Sequence, residues 1–278
     1  MISLFGQPFI VNAFIAGTAI AAVSAVVGYF VVLRAQAFAA HALSHIGFAG
    51  ATLAALLGIS PLLGMSGFTV SAALGMGAFG KRIRGRDVEI GIILSFALGL
   101  GVLFLRLYTN SANETAGILF GSILSVTRAN IIWSVVLGAV SLVLLAVISR
   151  PLLFASVDPE AAEARGAPVK LLGVLFMLLL AVTVAEAIQV VGVLLIFALI
   201  VAPASIAQHV TRRPLSAMVL SVALGTVFVW CGLFLAIETR FPVSFYISVL
   251  AALAYFAAVG SSHIIRPHAP DRYEHTCR

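Results

Sequence analysis

His41 and His45 stand four residues apart in FAAHALSHIGFAGATLAALL (38–57), an apolar stretch. On a helix, positions i and i+4 share one face. Two imidazoles on one face of a segment hydrophobic enough to cross a bilayer are costly unless they serve something, and an ionisable residue inside a span marks a functional site by default. Neutral imidazole is a ligand for zinc and its neighbours. The pair therefore points to metal ions handled inside a membrane. A single histidine in a membrane helix often serves as a helix–helix hydrogen-bond partner, and spacing alone leaves that reading open beside the first. Zinc-protease chemistry is excluded, because Ala42 follows His41 and no glutamate stands near.

The elements that must carry these histidines follow from composition. The chain is 62% hydrophobic and 9% charged, against roughly a quarter charged in a soluble domain. Long apolar runs, in place of short alternating segments, identify an all-α polytopic membrane protein and exclude a membrane barrel. About 20 apolar residues cross the hydrocarbon core. On that basis about nine transmembrane helices are predicted, at 9–33, 38–58, 62–80, 88–108, 129–149, 170–187, 190–208, 214–236 and 243–265. The sixth and seventh are separated only by Glu186-Ala187-Ile188-Gln189, so one of them is expected to be short, tilted or partly re-entrant. Residues 1–265 are expected to form a single transmembrane domain, and 266–278 a cytoplasmic tail. Met1–Pro8 lacks a basic region, and no cleavable signal is expected. Cys231, in an apolar run, and Cys277, in the tail, do not suggest a disulfide.

Basic residues set the orientation. With the N-terminus outside, the cytoplasmic side holds Arg34, Lys81, Arg82, Arg84, Arg86, Arg150, Arg165, Lys170, Arg212, Arg213, Arg266, Arg272 and Arg278, and the outer side only Arg106, Arg128 and Arg240. Thirteen against three is a strong positive-inside bias. It requires an odd number of spans and places the C-terminus in the cytoplasm. The net charge of +6 thus belongs to membrane orientation, and nucleic-acid binding is a poor reading.

Two connections are more than turns. Residues 109–128, outside, contain TAGILFGSILSVT, too short to span; a short helix on or dipping into the outer surface is expected. Residues 150–169, inside, contain an Asp158 N-cap followed by Pro159 at the first helical position. Glu160 to Arg165 are then helical, and Gly166 ends the helix. This predicts a short, polar cytoplasmic helix. Pro203, in mid-span, removes a backbone donor and is expected to kink its helix.

Other signals carry less. Gly75-Met76-Gly77-Ala78-Phe79-Gly80-Lys81-Arg82 satisfies GxGxxG and, up to its last position, the phosphate-loop pattern. Both are rejected: no strand precedes it, and Arg82 stands where a magnesium-binding hydroxyl belongs. If the protein uses ATP, another chain must bind it. Glu89 is expected to pair with Arg86 or Lys81. Glu186 is either a solvated residue at the outer end of its span, the simpler reading, or part of an ion path. Glu238 and Arg240 are expected in an exposed loop. His209 and His263 suit interfacial anchoring, and His268, His275 and Cys277 lie in a solvated tail.

Four segments together carry a resemblance. Phe30-Val31-Val32-Leu33-Arg34 followed by HALSH, LFGSILSVT (119–127), FASVDPEAAEARGAPV (154–169) and VVGVLLIFALIVAPASIAQ (190–208) occur in the order found in the zinc/manganese/iron uptake ABC-transporter permeases, which the chain resembles over nearly its whole length. The resemblance implies a fold similar to that of the vitamin B12 and siderophore importers. It implies two permease copies forming the path, two cytoplasmic ATPase subunits, and an extracytoplasmic protein that delivers the metal. It makes His41 and His45 the metal contacts. It makes 154–169, with Asp158, Pro159, Glu160, Ala164 and Gly166, the coupling segment, with no cofactor held permanently. The family's first metal position is usually aspartate, where this chain has His41. Two imidazoles disfavour hard manganese and favour a borderline metal, so zinc is expected, with manganese or iron as the alternative within the family. A stand-alone secondary transporter or channel is the alternative class. An intramembrane metalloenzyme lacks a glutamate base beside the histidines.

Overall fold

The computed structural model describes residues 7–78, 86–108, 123, 126–239 and 241–265. Among them are ten helices: α1 Pro8–Leu33, α2 Ala37–Leu57, α3 Pro61–Ala78, α4 Arg86–Leu107, α5 Arg128–Val157, α6 Pro159–Ala164, α7 Val169–Val191, α8 Val193–Val210, α9 Pro214–Thr239 and α10 Val243–Ile265. Eight are long and apolar enough to cross a membrane. The ninth long one, α3, has 18 residues, about 27 Å at 1.5 Å per residue, with Ser66, Thr69 and Ser71 diluting its hydropathy. Residues 109–122, 124 and 125 of the segment expected to hold the outer helix, the Lys81–Arg84 cluster, Arg240 and the tail with His268, His275 and Cys277 lie outside the described residues, as does the His263 side chain.

Contacts fix which helix ends lie together. α3 runs back antiparallel to α2, because a Cβ on Gly50 would stand 2.2 Å from the Gly64 carbonyl oxygen. Only glycine lets two backbones approach this closely. At its other end α3 meets the start of α7, where a Cβ on Gly77 would lie 3.2 Å from Val174. α2 and α4 are parallel, as Phe38 faces Gly91 while Phe48 and Ala49 face Gly101. The Arg34 guanidinium, at the end of α1, reaches Ser156 at the end of α5 and lies beside Gly173 on α7. Gln208 on α8 donates to the Tyr29 carbonyl at 2.8 Å. Hence Arg34, Arg165, Lys170, Arg212 and Arg213 gather at one end of the bundle. α3 thus reaches the level of Val174 despite its modest hydropathy, which makes nine long helices among the described residues.

α1 is the central helix, packed by α5, α7, α8 and α9; Ala13, Ala16, Ala21 and Ala25 on it are fully buried. A Cβ on Gly28 would stand 2.0 Å from the Ile200 carbonyl oxygen, so α1 and α8 touch backbone to backbone. Outer faces remain apolar: Ile92 and Phe96 of α4, Val143 and Val147 of α5, Leu253 and Phe256 of α10 are exposed, as suits lipid.

Three boundaries differ from the sequence expectation. Glu186 to Gln189 are helical, and α7 and α8 are both complete, joined by Gly192 alone at φ 87°, ψ 163°. That backbone region is open essentially to glycine, and nothing in Glu-Ala-Ile-Gln breaks a helix. α5 does not stop at 149; it continues through Pro151 to Val157. Glu238 belongs to α9, which extends to Thr239, and not to a loop. α8 likewise runs unbroken through Pro203, whose carbonyl accepts a 3.4 Å hydrogen bond from Ser221.

Candidate metal-ion site

α2 owes its start to the tight turn at 34–36 and its end to Gly58, at φ 68°. The face bearing Ala40, Leu43, Gly47 and Ala51 is buried in the bundle. His41 and His45 occupy the other face and are half-buried. Their rings meet edge to face with centroids 4.7 Å apart. The Phe197 ring of α8 lies 4.9 Å from His41. His41 begins the second turn from the Arg34 end and His45 the third, so the pair sits in that half of the bundle. The spacing allows one nitrogen from each ring to approach a single ion at the usual distance of about 2.1 Å. Among the described residues no group of three His, Cys, Asp or Glu side chains converges as a metal cluster, so the pair supplies two ligands at most from its own surroundings.

Glu186 is not the third. It is 3% exposed, which corrects the expectation of a solvated residue. Its Oε1 lies 3.6 Å from the position of a Cβ on Gly138 of α5, itself against Val23 of α1. Two residues on, Ile188 faces Gly47 of α2. Positions two apart on a helix lie on nearly opposite faces. Glu186 therefore points into the α1–α5–α7 seam, away from the histidines.

At the basic end, α6 forms as its sequence requires. Asp158 Oδ1 accepts from the Ala161 amide at 2.9 Å, Pro159 opens the helix, and Gly166 closes it at φ 82°. The Gly166 amide donates to the Glu163 carbonyl and the Ala167 amide to the Ala162 carbonyl, both at 3.0 Å; these are the paired bonds of a Schellman ending. Glu160 and Ala164 are exposed, while Ala162 is fully buried against the bundle. Glu89 is exposed, near the basic end, and the side chains expected to pair with it lie outside the described set. His209 bonds the Ser205 carbonyl at 2.8 Å through Nδ1 and faces Tyr255.

Sequence reasoning missed two residues here. Phe197 sits in an apolar run, LLIFALIV, with no polar signal to mark it. Arg34 was read as a topology charge and as part of the segment that carries the resemblance, with no contact assigned to it, although its place between two helices three residues apart marked it as a cap.

A polytopic helical bundle with paired imidazoles on a partly open helix face, and a capped polar helix at its basic end, has the form of a membrane transport subunit. The chain belongs to the ABC 3 transport family, which it matches over residues 6–262. It is 33% identical over 249 residues to the manganese import system permease protein ScaB of Streptococcus parasanguinis, covering 89% of this chain and 88% of that protein. It is 29% identical over 256 residues to the manganese transport system membrane protein MntC of Listeria monocytogenes, covering 92% and 91%. Among solved structures, PsaBC from Streptococcus pneumoniae in complex with Fab superposes with a TM-score of 0.83 at 30% identity, covering 93% of this chain and 95% of that one.

Proposed function

We propose that the chain is the translocating subunit of an importer for divalent transition-metal ions, and that its ion is manganese, with iron the nearest alternative. The observation that carries the choice of metal is the naming of ScaB and MntC for manganese at about 30% identity over nine-tenths of the chain. This displaces zinc, the metal first expected from two imidazoles. An imidazole pair fills only two positions of a manganese ion, which prefers octahedral oxygen coordination. Water, backbone carbonyls and a second copy of the chain supply the rest. The partly open His41–His45–Phe197 face then lines the path between two copies.

The basic end of the bundle faces the cytoplasm, the N-terminus lies outside and the C-terminus inside, in a bacterial inner membrane. Residues 1–265 act as one permease domain and 266–278 as its tail. ATP is hydrolysed by separate ATPase subunits that dock on α6 through Asp158, Pro159, Glu160, Ala164 and Gly166, and an extracytoplasmic metal-binding protein delivers the ion.

Uptake of radiolabelled manganese, iron and zinc into proteoliposomes holding the permease and its ATPase, with the metal-binding protein supplied on the outer side, tests the proposal. ATP-dependent uptake with manganese preferred is expected. Preference for zinc overturns the choice of metal. Uptake driven by an ion gradient without ATP overturns the importer reading in favour of a secondary transporter.

A further inference from the structure

We infer that Arg34 is the positioning residue through which α6 acts on the histidine-bearing helix, an inference that rests on the importer reading above. α6 is fastened to the end of α5 on two sides. Asp158 is both the last residue beyond α5 and the N-cap of α6. Arg165, the C-cap of α6, lies over the Phe154 ring of α5, 5.5 Å from its centroid. With Ala162 fully buried beneath, α6 and the end of α5 form one body.

Arg34 grips that body. Its Nη1 donates to the Ser156 hydroxyl at 3.0 Å, while that hydroxyl donates its own proton to the Leu152 carbonyl. The acceptor lone pair is thereby aimed at the guanidinium. The same guanidinium lies over the Phe176 ring of α7, 5.6 Å from its centroid. Gly173 leaves room beside it, where a Cβ would stand 3.6 Å from Nη2. A planar guanidinium can hold a hydrogen bond in its plane and an aromatic face beneath it at once, a flat geometry that a compact tetrahedral ammonium does not reproduce.

What Arg34 holds, it passes to α2. It is the C-cap of α1, and α2 begins three residues later. The connecting turn is stiff. The Arg34 amide bonds the Phe30 carbonyl at 2.9 Å, the Ala35 amide bonds Val32 at 3.0 Å, and the Gln36 amide bonds Val31 at 2.8 Å. Ala35 sits at φ 52°, a left-handed conformation that a non-glycine residue keeps only when its surroundings enforce it. Gln36 is buried, and its carbonyl accepts from the Ala40 amide. A displacement at Ser156 is therefore delivered to the first turn of α2, one turn before His41.

The test measures manganese uptake and ATP hydrolysis on the same proteoliposomes with the complete permease–ATPase complex and its manganese-loaded binding protein on the outer side, giving ions moved per ATP. Ser156→Ala removes the acceptor and is expected to lower that ratio about threefold; Arg34→Met, which keeps the stem and loses the fork, about tenfold. The double variant is expected to be no worse than Arg34→Met, and Arg34→Lys to recover only part. An unchanged ratio in Ser156→Ala and Arg34→Met overturns the inference. Equal loss of uptake and hydrolysis in Ser156→Ala, together with loss of co-purifying ATPase, also overturns it, because a purely structural role would do the same. If Arg34→Met does not assemble, Ser156→Ala decides in either direction. A wild-type complex without metal-stimulated hydrolysis overturns the importer reading itself, and the role of Arg34 with it.

Discussion

His41 and His45 meet edge to face one helical turn apart, with ring centroids 4.7 Å apart, on the face of α2 that the rest of the chain leaves half open. Replacing either by alanine removes one of the two side-chain ligands proposed for the ion. Loss of a single outer-shell partner already costs about 10–100-fold in metal affinity, so loss of a direct ligand should cost at least as much. Uptake at limiting metal is expected to fall by about tenfold or more in each single variant, and wild-type uptake by both would remove the pair from the ion path.

His41→Asp tests selectivity. A carboxylate in place of one imidazole offers the harder ligand that manganese favours over zinc. The manganese-to-zinc uptake ratio is expected to rise in this variant. An unchanged ratio would mean that ligands other than His41 set selectivity.

Glu186 is expected to be dispensable for transport. It is buried in the α1–α5–α7 seam, on the side of α7 away from Gly47 and the histidine helix. Effects at well-separated sites with no shared partner are independent. Glu186→Gln should therefore leave manganese uptake within about twofold of wild type at equal expression. Loss of uptake comparable to His45→Ala would return Glu186 to the ion path.

The α6 helix depends on its caps. Asp158→Ala removes the acceptor for the Ala161 amide and should destabilise α6 by about 1 kcal/mol. Gly166→Ala forces a Cβ into a left-handed turn, at roughly 1–2 kcal/mol. Hydrogen exchange of the amides at 161–167 is expected to quicken in both variants while α1 amides are unaffected.

Close backbone contact should make Gly28 intolerant of any side chain. A Cβ there meets the Ile200 carbonyl oxygen at 2.0 Å, and neither backbone can yield without separating α1 from α8. Gly28→Val is expected to abolish monodisperse protein in detergent. Gly99→Ala, with nothing within 4 Å of the added Cβ, should behave as wild type or gain up to about 1 kcal/mol of helix stability.

Local chemistry was legible in the sequence where the chain itself supplies it. The Asp158–Pro159 start and Gly166 end of α6 are set by residues adjacent in sequence, and the structure reproduces them. The polytopic class and the grouping of basic ends followed from hydropathy and Lys/Arg placement. Tertiary placement was not legible. The orientation of Glu186 depends on which side of α7 meets α1 and α5, and no spacing within one helix reveals that. The split between α7 and α8 was sought at a polar tetrapeptide, whereas the backbone turned at Gly192, where a positive φ was affordable. The continuation of α5 through Pro151 opposed local propensity and needed the packing at its end, where Arg34 holds Ser156 and Arg165 covers the Phe154 ring.

The central claim, that both imidazoles of the pair contact the transported ion, is tested most directly by electron spin-echo spectroscopy. Manganese is bound to the intact permease–ATPase complex in nanodiscs carrying isotope-labelled histidine nitrogen. Nitrogen coupling to manganese is expected in the wild type, weakened in His41→Ala or His45→Ala and absent when both are replaced. Manganese bound at wild-type affinity with no histidine-nitrogen coupling would contradict it.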